Sequence, residues 1–262
     1  MSDAQHHLDL RHGDVARYVL LPGDPDRVEQ IAAMFDEARP VASKREYVTY
    51  TGKVGGVHIS ATSTGIGCPS TAIAVEELVR VGADTLIRVG TAGAMQTGID
   101  LGDLVVATGA IRDEGTTLHY LPIEYPAVAD FDVTDALRIA AGTLGLPHHL
   151  GITHSKDSFY GQHEPERMPV ATRLLERWDA WTKAGAKASE MEAAALFIVS
   201  QVLRMRAGTV CLAAGNQLTG SFYESPEAYR EGVDTMIGCA IEAVKVLAAR
   251  DGSDGSPVKV TQ

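Results

Sequence analysis

Thr85-Leu86-Ile87-Arg88-Val89-Gly90-Thr91-Ala92-Gly93-Ala94 is the stretch on which the fold turns. Thr85 to Val89 reads as a short buried strand, and it ends in a Gly-Thr-Ala-Gly turn. Just upstream, Pro69 opens a helix whose apolar positions Ile73, Val75, Leu78 and Val81 lean to one side. Gly82 is its stop. A helix followed by a buried strand is the unit from which α/β domains are built. Arg88 is the anomaly in the strand. A charge inside an apolar run is costly unless paired, so Arg88 either meets a carboxylate or faces a ligand.

The alternation extends in both directions. Tyr18 to Leu21 reads as a strand, cut off by Pro22-Gly23-Asp24-Pro25. Asp24 is placed to cap a helix that starts at Pro25 and runs to about Phe35. Tyr47–Thr51 and Val57–Thr62 pair as a hairpin around Gly55-Gly56. Downstream, Leu104–Thr108, Gly151–His154 and Thr209–Ala214 read as strands. Val133–Leu144, Pro169–Ala184 and Met191–Leu203 read as helices. Pro226–Arg250 reads as a long helix with a break expected near Gly232 or Gly238. The tail, Asp251–Gln262, is rich in Gly, Ser and Asp and is expected to fray. With no linker and no repeat, residues 1–262 read as one α/β domain around a mixed sheet.

Composition narrows the function. The 262 residues carry 23 Lys plus Arg against 34 Asp plus Glu, a net charge of −11. A general nucleic-acid binder needs a basic face, and this balance speaks against one. It leaves room for one small anion, because a few Arg can dominate a pocket locally. Cys68, Cys211 and Cys239 form no Cys-x-x-Cys pair and read as buried, reduced thiols. The N-terminus lacks a basic segment followed by an apolar one, and no run spans a membrane. A soluble cytoplasmic protein is expected.

Ligands in such sheets bind beyond the carboxyl ends of strands, and three strand ends carry unusual residues. Gly23, before the first helix, exposes backbone N–H groups, and Arg27 one turn on points a fork suited to phosphate. The plain alternative is a capped turn with a surface Arg. Arg88 and Thr91 sit at the second end, where glycines allow close approach. Glu190-Met191-Glu192 opens a helix continuing through Ala193-Ala194-Ala195. Acidic residues suit a first helical turn, yet this segment looks buried, and sugar hydroxyls would satisfy buried carboxylates.

In order, LPGDPDRVEQIA from Leu21, STGIGCPSTAIAVEEL from Ser63, IRVGTAGA from Ile87 and SEMEAAAL from Ser189 resemble the nucleoside phosphorylases. The family in question is that of the uridine phosphorylases and hexameric purine nucleoside phosphorylases. The likeness spans about His7 to Arg250. LHYLPIEYPAVADF from Leu118 and SKDSFYGQHEPERMP from Ser155 are similar to bacterial pyrimidine-specific members.

The resemblance implies a single-domain three-layer α/β/α fold with a central mixed twisted sheet. It implies reversible phosphorolysis of uridine to uracil and ribose 1-phosphate, with inorganic phosphate as co-substrate and no required cofactor. Arg88, Glu192 and Arg27 would carry catalysis. Gly23, Arg27, Arg88 and Thr91 would bind phosphate, with Arg45 reaching in from a neighbouring subunit. Thr91, Met191 and Glu192 would hold the ribose, and His7 would cross a dimer to the 5′ hydroxyl, with His6 one position away. Gly93, Phe159, Gln162 and Glu190 would surround the base. Glu46, Ile66 and Ser70 match positions that hold potassium at a dimer interface in some members. A homo-oligomer follows, a hexamer built as a trimer of dimers.

This sequence departs from the family pattern at the base. The usual base-reading Arg is not aligned, leaving Lys156, His163 and Arg167 as replacements. Lys156 is favoured because it lies just upstream of Phe159, and a solvated lysine is the plain alternative. Asn216 stands where purine-specific members carry an acid, Gln217 where many uridine-specific members carry Arg, and Ala92 where a hydroxyl residue is common. A purine or methylthioadenosine phosphorylase, a hydrolytic nucleosidase and a non-catalytic nucleoside binder are the alternatives. The full Arg set argues against the last two. His148-His149 reads as a loop pair without a third metal ligand. Trp178 and Trp181 read as packing residues. His119 has no assigned role.

Overall fold

A computed structural model describes residues 4–259. The chain runs β1 (Tyr18–Leu21), α1 (Pro25–Ala32), β2 (Glu37–Lys44), β3 (Tyr47–Val54), β4 (Val57–Thr62), α2 (Cys68–Arg80) and β5 (Thr85–Ala94). It continues with β6 (Leu104–Asp113), β7 (Ala127–Val128), α3 (Phe131–Thr143), β8 (His148–Lys156), α4 (Phe159–His163) and α5 (Ala171–Lys183). The last elements are β9 (Ala188–Glu190), α6 (Ala193–Val202), β10 (Arg206–Asn216), β11 (Ser221–Phe222) and α7 (Pro226–Asp251).

The strands join in one mixed sheet, and β5 is its centre. It pairs in parallel with β1 on one side and β10 on the other, and its far end pairs antiparallel with β9. Because β10 also pairs β6, β6 pairs β8 and β8 pairs β9, five strands close into a ring. Helices cover both faces. Residues of α1, α3 and α7 pack with Ile87 and Val89 in one core, and those of α2 and α6 with Leu86 in another. A small third cluster, including Ala92, Val105, Cys211 and Ala213, fills the space beside the ring strands.

Two local causes explain the helix starts nearest the site. Asp24 accepts from the Asp26 N–H at 3.0 Å and Pro25 occupies the first turn, as a capped α1 requires. Gly67 precedes α2 with φ of 99°, a conformation that favours glycine.

Several expectations need correction. Gly90 to Ala94 is not a turn: β10 pairs along it, from Cys211 opposite Gly90 to Asn216 opposite Ala94, with one bulge between Ala213 and Gly215. The ladder supplies the hydrogen bonds that a turn would otherwise make. His148 and His149 lie in β8, not a loop, and His149 Nε2 is 2.8 Å from Asp103. The edge strand β2 was not expected at all. α1 ends at Ala32 and α6 begins at Ala193, each short of the range expected. α7 is unbroken: a side chain at Gly232 would meet the Tyr223 hydroxyl at 2.7 Å, so that glycine serves packing. The tail is tied down rather than frayed over its described part. Gly255 O accepts from Arg17 N at 3.0 Å, Asp254 O from His58 N at 2.7 Å, and Val258 N donates to Gly82 O at 3.0 Å. Residues 260–262 lie outside the described residues. The three cysteines are buried and unpaired, and among the described residues no helix is long and apolar enough to cross a membrane.

Candidate active site

The carboxyl ends of β1 and β5, the β9–α6 junction and the start of α4 surround a cavity of about 540 Å³. Gly23, Arg27, Arg88, Thr91, Gly93, Lys156, Phe159, His163, Glu190, Met191, Glu192 and Gln217 all line it. Residues from five separate stretches of sequence are thereby brought together.

At its centre is a buried ion triad. Arg88 Nε donates to Glu190 Oε2 at 3.0 Å and its terminal nitrogen lies 2.5 Å from Glu192 Oε2. So Arg88 both meets carboxylates and faces the cavity. Burial alone would depress the Arg88 pKa; Glu192 and Glu190 outweigh it and hold the guanidinium charged. Burial pushes the Glu192 carboxyl upward against the pull of Arg88. The Gly67 N–H donates to Glu192 Oε1 at 2.6 Å, so the start of α2 also fixes that carboxylate. Glu190 is a structural hub. Its Oε2 accepts from the N–H groups of Glu192 at 2.8 Å and Ala193 at 2.9 Å, and its Oε1 accepts from the Ser155 hydroxyl. Gly90 is required here: a Cβ on it would lie 2.7 Å from the Arg88 guanidinium carbon.

Arg27 differs from Arg88. It is buried, at 9% exposure, yet its guanidinium makes only long contacts, 3.5 Å to Val89 O and 3.4 Å to the Tyr229 hydroxyl. Among the described residues no carboxylate lies within ion-pair distance. A buried cation left without an anion is an expensive arrangement, and it points into the cavity beside Gly23. The surface-Arg alternative for Arg27 is thereby removed.

The other end of the cavity is polar and linked. Lys156, expected as favourite over a solvated lysine, is buried and donates to Ser189 Oγ at 2.9 Å. Burial pulls its pKa down to about 8, with Glu190 and Glu192 resisting and Arg88 adding to the fall. His163 stacks on Phe159 with ring centroids 4.2 Å apart. Gln217 joins Gln162 at 2.9 Å and His163 at 2.9 Å. Gln162 itself stands one layer behind, lining an adjoining cavity under α5. Arg167 does not line the cavity: it pairs with Glu164 at 2.9 Å and is exposed. Asn216 is buried, and its Nδ2 donates to Gln96 O and Ile99 O, each at 3.0 Å.

Three expected groups lie outside this cavity in the single chain. Arg45 is exposed at the β2–β3 turn with φ of 58°. His7 is held by Glu77, which accepts from His7 N, His7 Nδ1 and Leu8 N at 2.7 to 3.0 Å. It lines a separate open cleft together with His119. Glu46 and Ser70 gather at Gly65: a Cβ there would be 2.8 Å from Glu46 Cγ and 3.4 Å from Ser70 Oγ. Ser70 Oγ is 3.3 Å from Ile66 O. Oxygen ligands of this kind suit a hard cation. Among the described residues no three His, Cys, Asp or Glu side chains converge as a metal site.

Sequence reasoning missed Arg112, Asp113, His154 and Glu77. Arg112 is buried and its nitrogens donate to Pro122 O, Tyr125 O, Thr117 O, Leu121 O and Thr117 Oγ1, which fixes the segment after β6. An arginine at a strand end was the only signal.

Buried carboxylates at Glu190 and Glu192, the cations Arg27 and Arg88 and a linked polar end at Lys156, His163 and Gln217 thus share one cavity. The family model described as the phosphorylase superfamily matches residues 17–245. The chain belongs to the phosphorylase superfamily. It is 49% identical over 250 residues to a uridine phosphorylase of Treponema pallidum, covering 95% of this chain and 96% of that one. It is 51% identical over 251 residues to a uridine phosphorylase of Thermococcus kodakarensis, covering 94% and 88%. A guanosine phosphorylase of Halorubrum lacusprofundi is 41% identical over 249 residues, covering 93% and 99%.

Proposed function

We propose that the chain catalyses reversible phosphorolysis of uridine, giving uracil and ribose 1-phosphate. The observation that carries this reading is Arg27, a buried cation without a carboxylate, beside Arg88 and Glu192 in one cavity. Two of the relatives at about half identity are uridine phosphorylases.

In this reading Arg27, Arg88, Thr91 and the open backbone at Gly23 hold phosphate below the sugar. Arg45 of a second copy completes the set. Glu192 accepts from the ribose hydroxyls and Met191 packs against the sugar. The glycosidic bond loosens ahead of attack, so positive charge develops at the sugar carbon and negative charge on the base. Phosphate, held close and aligned, stabilises the first by proximity and charge. Lys156, with donors free beyond its bond to Ser189, stabilises the second. Glu190 positions Arg88 and the α6 start. Phe159 is the exposed wall of the cavity; a second subunit bringing His7 would cover it. Glu46, Ile66 O and Ser70 would hold a monovalent cation, whose charge would brace two copies where they meet. A dimer therefore completes the site, and we infer a hexamer of three dimers. The unpaired buried cysteines suit a reducing compartment, the cytoplasm.

The guanosine phosphorylase relative raises a purine reading. Asn216 speaks against it, because both its amide protons are spent on backbone carbonyls and it has no acid to give. The test is a panel of uridine, thymidine, deoxyuridine, inosine, guanosine and adenosine, each with and without phosphate. Uridine should disappear only with phosphate. Faster cleavage of inosine or guanosine would overturn the base assignment.

A further inference from the structure

Ser189 Oγ is a junction that the reaction above does not use. It lies 3.1 Å from His154 Nδ1, 2.6 Å from Gln162 Oε1 and 2.9 Å from Lys156 Nζ. A hydroxyl has one proton and two lone pairs, and an ammonium only donates, so Lys156 takes one lone pair. His154 and Gln162 divide what remains.

His154 is buried in β8 at 3% exposure, and its Nε2 is 3.0 Å from Asp113 Oδ2. Arg177 of α5 holds the other oxygen of Asp113 at 2.5 Å. An ionised carboxylate accepts only, so Nε2 always carries a proton, and Nδ1 decides the rest. When Nδ1 is protonated it donates to Ser189, and Ser189 donates to Gln162 Oε1. Gln162 Nε2 then donates to Gln217 Oε1, and Gln217 Nε2 donates to His163 Nδ1. When Nδ1 is bare it must accept from Ser189. Gln162 then has to turn its N–H groups to Ser189, its oxygen meets Gln217, Gln217 turns over, and His163 Nδ1 must carry the proton. One proton on His154 reverses every link out to His163.

Gln217 and His163 line the substrate cavity, whereas His154 lies behind it. We propose that His154 is a positioning residue for base recognition: its proton, steadied by Asp113, sets the direction of the Gln162–Gln217–His163 chain and so whether the base meets donors or acceptors there. The edge of uracil, a carbonyl acceptor beside an N–H donor, complements only one direction. The choice of uracil rests on the uridine reading; the reversible chain does not.

The groups facing His154 are Asp113 of β6, Lys156 of β8, Glu190 of β9 and, behind Asp113, Arg177 of α5. Burial lowers the imidazole pKa, Asp113 and Glu190 raise it, and Lys156 lowers it, with a net fall. The chain's two tryptophans both pack on this ring, with centroids at 4.2 Å for Trp181 and 6.5 Å for Trp178. A protonated imidazole quenches a neighbouring indole, so tryptophan emission reports His154 directly.

The experiment is a pH titration of tryptophan emission on the full chain without phosphate, with and without saturating uracil, uracil binding being checked by calorimetry. We expect one transition below the ordinary histidine value of about 6.5, absent in His154→Asn. Uracil should move its midpoint by at least about half a pH unit, a roughly threefold difference in affinity between the two protonation states. In Gln162→Met, which cannot transmit direction, uracil should leave the midpoint in place. Uracil that binds without moving the wild-type midpoint, or moves it equally in Gln162→Met, overturns the proposal while uridine turnover stands. If hypoxanthine or guanine moves the midpoint and uracil does not bind, the chain stands and the uridine reading falls. If no base moves it, the proposal falls.

Discussion

Arg27→Met separates catalysis from stability. The substitution keeps the unbranched stem and removes only the guanidinium. In the fold that guanidinium has two contacts, at 3.5 and 3.4 Å, too long to offset much of its burial. Against a phosphate oxygen about 4 Å away, at an effective dielectric near 20, one unit charge is worth about 4 kcal/mol. The charged hydrogen bond it replaces in water reduces this, leaving about 3 to 4 kcal/mol in the transition state. That is a fall of about 10²- to 10³-fold in kcat/KM for phosphate. Stability should move the other way or not at all, because a poorly compensated charge leaves the interior. Initial rates against phosphate at saturating uridine, with a thermal melt on the same sample, read both effects. Activity within about threefold of wild type would refute the assignment of Arg27 to phosphate. A melting temperature lower by several degrees would show instead that Arg27 holds the fold.

Four further outcomes are expected. Lys156 is charged below its pKa of about 8, so uridine kcat/KM should fall as pH rises through that value, and Lys156→Met should be slow and lack this alkaline limb. The same depressed pKa has a stability sign: between about 8 and the ordinary 10.5 the unfolded chain binds more protons, so stability rises with pH across that window. Lys156→Met should therefore melt higher than wild type at pH 7, and a lower melt would contradict the assigned direction. Arg112→Met removes five bonds from the segment after β6 and leaves Leu121 O and Tyr125 O without a partner among the described residues, whereas Thr117 and Pro122 O keep others; this should cost about 3 kcal/mol and roughly 6 to 12 °C in Tm. An unchanged melt would mean water replaces the guanidinium without loss. Asn216→Asp sets a carboxylate against Gln96 O and Ile99 O; it should lower Tm and gain no inosine cleavage, and any gain would show that this side chain reaches the base.

The sheet was legible where apolar runs were short and bounded. β1 starts and ends where Tyr18 and Leu21 said it would, and β5 begins at Thr85 as read. The extension of β5 through Gly90 and Gly93 was not legible, because glycine signals a turn until a partner strand is known, and β10 lies more than a hundred residues away. β2 was missed because Glu37, Arg39 and Pro40 lie on an exposed edge and show no apolar alternation. At the site, Arg27, Arg88 and Glu192 stood out as charges in apolar or glycine-rich surroundings, and the order of motifs supplied their roles. Asp113, His154 and Ser189 gave no local sign. His154 and Asp113 meet across 41 positions and His154 and Ser189 across 35, separations that no periodicity records. Likewise, Glu77 gathers His7 from 70 positions away, which fixes the N-terminal segment on α2 rather than leaving it loose.

The net charge of −11 and a pocket built around Arg27 and Arg88 are compatible because the anion is single and enclosed. The most direct test of that claim follows the products of uridine cleavage by phosphorus NMR, with uracil measured in parallel. One ribose 1-phosphate should form for each uracil, and no reaction should occur when phosphate is withheld. Uracil released with free ribose, or released without phosphate, would contradict that claim.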